Sequence, residues 1–390
     1  MLDLQRVVPV FARRVRRLAA VLIAISLIAV ACGGGQSQSP TAAPSAAAPS
    51  AAASPAAPTA DPMIAEFGGQ QLIDAAIKEG AVTMYAAQIA ELMDAQIAAF
   101  NKRFPQIKVT YTRQNSAVID TQIRAEVQAK KFSVDVISNS GDGYMEKYLT
   151  ELKILGTYKP PTADKYLASD TTNGAWYPIS AVVNAFAYNT QLVKAADAPK
   201  SWADFLNPAF NGRRSYILPT SDCGIGNVFF TGQVLGLDLG LPYQTYWKAL
   251  AATKPPLITG STAQVPSLVS GQNMVSYLFD TQVFAAQATG NQPIEFVYPK
   301  EGAAPCWHST QITADPPHPN AAKLFMNWLL SKEGQMIGIE KFKSFSLRTD
   351  MPAPAGVPAG FKVWHYSLLE WKKTHPTWLA EWLVIFDAKP

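Results

Sequence analysis

Three cysteines and four histidines carry the most reactive side chains of this 390-residue chain. Cys32 follows the small residues Ala29-Val30-Ala31. Setting it aside leaves Cys223 and Cys306, an even pair. In an oxidising compartment such a pair reads as a disulfide or, failing that, as two partly buried thiols. Cys223 lies in Thr220-Ser221-Asp222-Cys223-Gly224, where a helix is predicted to open. A helix N-terminus offers free N–H groups and a positive dipole end, suited to a carboxylate or phosphate. Gly224 would allow close backbone approach, whereas Ser221 or Asp222 can equally serve as an ordinary cap. Further candidates for holding a ligand are Gln88 and Ser138, Asn139 and Ser140, polar residues where predicted strands end. Trp176 and Tyr177 precede a long β-type run and offer rings for stacking. Asp280 suits an amine or hydroxyl. His308, His318, His365 and His375 show no H-E-x-x-H or H-x-x-x-H spacing, so no metal site is expected. There is no G-x-S-x-G elbow and no S-x-x-K, so no catalytic residue is assigned. A surface-anchored hydrolase remains the rival from another class, because triads assemble from distant positions.

The elements that must position these side chains alternate in type. Leu72, Ala75, Ala76 and Ile77 mark one helix face, with Gly80 just past its end. Ala81 to Tyr85 reads as a strand. Ile89, Leu92, Met93, Ile97 and Phe100 come next at helical spacing, and Pro105 stops them. Ile107 to Tyr111 is a second strand, Asn115 or Ser116 caps a second helix, and Val134 to Ile137 is a third strand before a polar turn over 138–142. This β-α-β-α-β order predicts a mostly parallel sheet whose ligand sits outside the carboxyl ends of its strands. Farther on, Val182 to Tyr188 reads as a crossing strand and Pro199 to Leu206 as a helix capped by Ser201. Residues 276–287 read as partly helical, 297–307 as a connector and 320–331 as an amphipathic helix. Trp364, Trp371, Trp378 and Trp382 crowd a C-terminal helix that Pro376 should interrupt.

Composition bounds the whole. Charged residues make up 16% and hydrophobic ones 48%, which excludes both a disordered chain and a polytopic membrane protein. The net charge of +4 comes from 33 basic and 29 acidic residues. Arg6, Arg13, Arg14, Arg16 and Arg17 face a single acid, Asp3, within residues 1–31. Without that segment the charges balance, so no nucleic-acid partner is expected. The basic cluster, the apolar run Leu18 to Val30 and the small residues after it describe a signal peptide over 1–31. Ala, Pro, Ser and Thr then supply 24 of the 30 residues from Gly33 to Pro62, six of them proline. Such a segment cannot bury enough apolar surface to order itself, so 32–62 reads as a disordered tether.

Several stretches resemble one family. Lys78-Glu79-Gly80-Ala81-Val82-Thr83-Met84-Tyr85, Phe100 to Pro105, Arg124-Ala125-Glu126 with Val134-Asp135-Val136, and Tyr188-Asn189-Thr190 occur in its order and spacing. So do Pro199 to Leu206, Asn207-Pro208 with Gly212-Arg213, His318 to Lys323 and Leu330 to Gln335. From about Ile73 to Thr349 the chain resembles the bacterial extracellular solute-binding proteins of ABC importers, near their ferric-iron-binding branch. The resemblance implies an α/β, two-lobed periplasmic-binding-protein-like II fold. Each lobe would be a mostly parallel sheet flanked by helices, and a hinge would join them. Lobe 1 is expected over 63–185 with 308–390, and lobe 2 over 186–307. The site would be the interlobe cleft, the partners a small polar solute and a membrane permease, and the receptor a monomer without cofactor or enzymatic activity. The solute is left open between an organic anion and an amine-bearing compound. Ala29 to Cys32 resembles a lipobox, so Cys32 is expected to be lipidated, with plain secretion as the alternative. That would place the protein on the outer face of the cytoplasmic membrane. The ferric branch uses adjacent tyrosines, whereas here the matching segment reads Ser276-Tyr277-Leu278-Phe279-Asp280-Thr281. An organic solute is therefore favoured, with ferric iron the alternative.

Overall fold

The computed structural model describes residues 61–140, 142–219, 243–258, 263–364 and 368–389. The expected signal segment, most of the expected tether, Cys32 and the segment Thr220 to Gly224 lie outside these residues. Among the described residues, no helix is long and apolar enough to cross a membrane.

The amino-terminal half shows the predicted alternation. Helices α1 (Met63–Glu66) and α2 (Gln70–Glu79) lead into β1 (Ala81–Ala86), α3 (Ala90–Arg103), β2 (Lys108–Arg113), α4 (Ser116–Gln128), β3 (Val136–Ser140) and α5 (Asp142–Thr150). Gly80 ends α2 in the left-handed region at φ 71° and donates its N–H to the Ala76 carbonyl at 3.0 Å. That conformation is readily available to glycine, which lacks a Cβ. Asn115 caps α4, its Oδ1 accepting from the Val118 N–H at 3.0 Å.

The remaining elements are β4 (Tyr177–Asn189), β5 (Arg214–Ile217), α6 (Tyr243–Ala252), β6 (Leu257–Ile258), α7 (Gln264–Val269), β7 (Val275–Phe279), α8 (Asp280–Ala288), β8 (Ile294–Val297), β9 (Pro305–Ile312), α9 (Pro319–Leu330), α10 (Lys332–Phe342) and α11 (Leu368–Ile385). The strands run in the order β2-β1-β3-β9-β4-β7-β5-β6, with β8 also paired to β4. The outer strands pair parallel, β1 with β2 and β3, and β5 with β6 and β7. The crossing strands do not: β9 is antiparallel to β3 and β4, and β4 is antiparallel to β7 and β8. Strand β4 joins the two lobes. It pairs with β9 up to Val183 and with β7 from Asn184 onward.

Four expectations of local structure change. The polar stretch Ser138 to Ser140 is strand rather than turn, because β9 supplies its partners: Ser138 faces Thr310, Asn139 faces Ser309 and Ser140 faces His308. The helix expected over Pro199 to Leu206 shrinks to a 3-10 turn at Asp204–Leu206, since Asn207-Pro208 comes at once. Residues 276–279 belong to β7, and helix begins only at Asp280. The connector after Val297 becomes strand at Pro305.

The family-like motifs turn out to be joints. The Glu79 carboxylate accepts from the Asn320 and Ala321 N–H groups at 2.8 and 2.7 Å, capping α9. Buried Asp135 accepts from the Thr83 N–H at 2.7 Å and from the His318 N–H at 2.6 Å. Three separated sequence pieces are thereby fastened where α9 starts, and the anionic caps oppose its positive dipole end.

One core contains Phe100, Phe104, Phe325, Trp328 and Leu329, and a second contains Phe186, Trp202, Phe205, Tyr216, Trp247 and Tyr277. Helix α11 runs through Pro376 without a break. Its Trp382 is fully buried in the second core and stacks on Phe386 at 4.0 Å, and Glu381 accepts from the Tyr243 hydroxyl at 2.9 Å. This packing offsets the backbone hydrogen bond that a proline removes. It also places the carboxy-terminal helix against the second lobe's core, not with the first lobe as the expected boundaries have it.

Candidate functional site

The cleft lies at the carboxyl ends of β1, β2 and β3, facing the start of α8. Its cavity volume is about 200 Å³. One wall carries Gln88, Arg113, Ser140, Ser180 and His308, and the opposite wall carries Ile217, Phe279, Thr281 and Gln282. Arg113 is the last residue of β2 and is exposed. Its Nε donates to the Gln88 carbonyl at 3.1 Å, which fixes the guanidinium, and no carboxylate among the described residues pairs with it. Gln88 is 1% exposed, yet neither end of its carboxamide has a hydrogen-bond partner among the described residues. Ser140 and Ser116 share a hydroxyl–hydroxyl hydrogen bond. His308 Nδ1 and the Ser180 hydroxyl are 3.3 Å apart. Burial, reinforced by the Arg113 charge, pushes the His308 pKa down to about 4, so the imidazole is neutral at neutral pH.

The structure brings Gln88 and Ser140 from the expected set to this wall. Cys306 also lines the cleft and is disulfide-bonded, its partner lying outside the described residues. Ser221, Cys223 and Gly224 lie outside the described residues as well. Four candidates sit elsewhere, turned away from the cleft by strand pairing in β3 and β4 or, for Trp176 just before β4, by packing into a core. Trp176 is buried among Ile119, Ile123, Met145 and Tyr148. Tyr177 packs edge-on against Tyr166 with ring centroids 5.9 Å apart. Asn139 is buried and donates to the Tyr148 hydroxyl at 2.9 Å. Ser138 is buried in β3, and its hydroxyl has no partner among the described residues.

Asp280 is behind the cleft, at the lobe junction. Its Oδ1 accepts from the Val183 N–H at 3.3 Å, where β4 changes partners, and from the Thr281 N–H at 2.7 Å. Burial raises its pKa to about 8, so it is protonated at neutral pH and offers no fixed charge to an amine.

Sequence reasoning missed Arg113, Ser180 and His308. Arg113 was within reach of the rule that strand ends face the ligand, since it ends β2 two residues before the Asn115 cap. Ser180 and His308 arrive on antiparallel crossing strands, whose register no local pattern shows.

Two lobes sharing a crossing strand, with a cleft at their strand ends that carries a few polar side chains on an apolar lining, have the architecture of a periplasmic-type binding protein. The chain belongs to the bacterial extracellular solute-binding protein family, whose model matches residues 95–363. It is similar to the Fe(3+)-binding periplasmic protein of Serratia marcescens, at 24% identity over 285 residues, covering 71% of this chain and 80% of that protein. Among solved structures, iron-bound HitA from Pseudomonas aeruginosa matches with a TM-score of 0.60 at 20% identity, covering 79% of this chain and 98% of that one. The periplasmic binding protein AfuA from Actinobacillus pleuropneumoniae, with fructose-6-phosphate bound, matches with a TM-score of 0.63 at 20% identity, covering 80% and 99%.

Proposed function

We propose that this protein is the substrate-binding component of an ABC importer that captures a small polar organic solute in the cleft and delivers it to a membrane permease. The observation that carries this reading is the cleft wall itself: hydrogen-bonding side chains from separate strand ends, one buried carboxamide unpartnered, around a volume suited to a small molecule. Family membership supports the delivery role. The lobes close about β4, and the closed form is what a permease reads. Cys32 carries the lipid anchor, and residues 33–62 hold the receptor away from the membrane.

Ferric iron is the second reading, favoured by the similarity to an Fe(3+)-binding protein. Against it, the described residues lining the cleft include no carboxylate and no phenol, the oxygen donors a hard trivalent ion prefers. A thermal-shift screen over sugars, organic acids, phosphate esters, polyamines and ferric citrate tests the reading. An organic solute should raise Tm in proportion to the logarithm of its concentration above Kd. A response to ferric citrate alone, absent with citrate, would favour the metal.

We also assign Cys223 as the disulfide partner of Cys306. Peptide mapping under non-reducing conditions should recover the two in one linked pair, and a free Cys223 would refute the pairing.

A further inference from the structure

The sign of the solute's charge can be read from groups that share one wall of the cleft. We propose that Arg113, Gln88 and His308 form the seat of a carboxylate or phosphate group on a hydroxylated organic solute, a specificity that rests on the solute-binding reading above.

Arg113 is the only charged side chain among the described residues lining the cleft. Its Nε is already engaged with the Gln88 carbonyl, so the guanidinium is held in place while its terminal nitrogens remain for a ligand. A fixed, unpaired guanidinium selects a planar or tetrahedral oxyanion and repels a cation. Helix α3 begins beside it, with Ile89 at the N-cap and no side chain closing its first turn. Free first-turn N–H groups add positive potential on the same side. The neutral His308 ring adds a polar edge without a competing charge.

Gln88 decides the rest of the ligand. Both its oxygen and its nitrogen are buried without partners among the described residues. Leaving two such atoms unmet is costly, so a bound group that supplies a donor and an acceptor together is favoured there. A carboxylate or a phosphate dianion only accepts. A hydroxyl next to the charged group does both. The seat therefore fits a hydroxy acid or the phosphate ester of a polyol better than a bare anion.

Isothermal titration of the full-length protein would use gluconate and glycerol 3-phosphate as hydroxylated oxyanions. Glucose and glycerol serve as neutral counterparts, and acetate and methyl phosphate as anions without a hydroxyl. At least one hydroxylated oxyanion should bind, and both the neutral and the hydroxyl-free counterparts should be weaker by roughly 10- to 100-fold. Arg113→Met should weaken that oxyanion by a similar factor with Tm of the free protein unchanged, and Arg113→Lys should recover part of the loss. Gln88→Leu should weaken the hydroxylated oxyanion and spare the hydroxyl-free anion. Equal or tighter binding of a neutral or cationic solute, unaffected by Arg113→Met, would overturn the charge assignment and leave the solute-binding reading standing. Failure of every organic solute in the wider screen would overturn both.

Discussion

Replacing Arg348 by methionine should lower the unfolding free energy by about 3 kcal/mol, the largest effect expected from one surface-proximal side chain. The Arg348 side chain is fully buried. Its Nη1 and Nη2 donate to the two Glu66 oxygens at 3.0 and 2.9 Å, and Nε and Nη2 donate to the two Asp350 oxygens at 2.9 and 3.0 Å. Nη1 also donates to the Leu330 carbonyl at 2.8 Å, at the end of α9. One guanidinium thus ties α1, the first helix of the folded body, to the α9–α10 junction. Its hydrogen bonds hold the Asp350 carboxyl down at about 2. Methionine removes the only cation paired with Glu66 among the described residues, leaves Asp350 with the half-exposed Lys332 ammonium at 3.4 Å alone, and leaves the Leu330 carbonyl only the long contact from the Tyr166 hydroxyl at 3.5 Å. Lysine keeps the charge but loses the planar fork, so Arg348→Lys should recover only part of the loss. Urea denaturation of the three proteins at pH 7 measures both values. A change below about 0.5 kcal/mol for Arg348→Met would show the cluster to be no stronger than an ordinary surface pair.

The second large effect is a change in the shape of the pH–stability curve. Asp280 titrates near 8 in the folded protein, against 3.8 for an ordinary aspartate. Between those values the folded state holds a proton that the unfolded state has lost. Folding then takes up a proton, so stability contributed at this site is full below about pH 4 and declines as pH rises toward 8. The slope approaches about 1.4 kcal/mol per pH unit within that window and vanishes above it. Asparagine is an uncharged isostere of the protonated carboxyl, so Asp280→Asn should keep the two accepted hydrogen bonds at Oδ1 and remove the decline. The Tm difference, variant minus wild type, should grow from pH 5 to pH 8 and then level off. A difference constant across that range would mean that the carboxyl is ionised in the folded protein. Because this group anchors α8 to Val183 at the lobe junction, the same substitution should leave affinity for an anionic solute little changed at pH 6.

Much of the architecture is legible without coordinates, for a physical reason. Ile89, Leu92, Met93 and Phe100 must face one way, Gly80 can take a left-handed conformation, and Asn115 can accept a first-turn N–H. These are local facts that survive into the fold. The motifs shared with the family are legible for a different reason: Glu79, Asp135 and His318 are the joints where α9 meets the sheet, so they report architecture and say nothing of the solute. The polar run at Ser138 was misleading because a polar strand buried by its neighbours looks like a turn from sequence alone. Trp176 and Tyr177 were misleading because an aromatic ring serves a core and a stacking site equally well.

Composition and short-range spacing were enough to read the basic and apolar opening segment, the Ala- and Pro-rich stretch behind it, the balanced charge of residues 32–390 and the alternation of a parallel α/β sheet, while the two lobes followed from the family resemblance. Each of these is expressed within about 20 residues or in a simple count. The membership of the cleft wall is not, because it depends on long-range strand pairing. Arg113, Gln88, Ser180 and His308 come from three strands and a loop, and β9 runs antiparallel through the middle of the sheet. The register of that strand is set by side-chain burial on both faces, which depends on the whole fold. The same packing drew Asp280 out of the cleft lining and left Arg113 as the charged side chain among the described residues that line it.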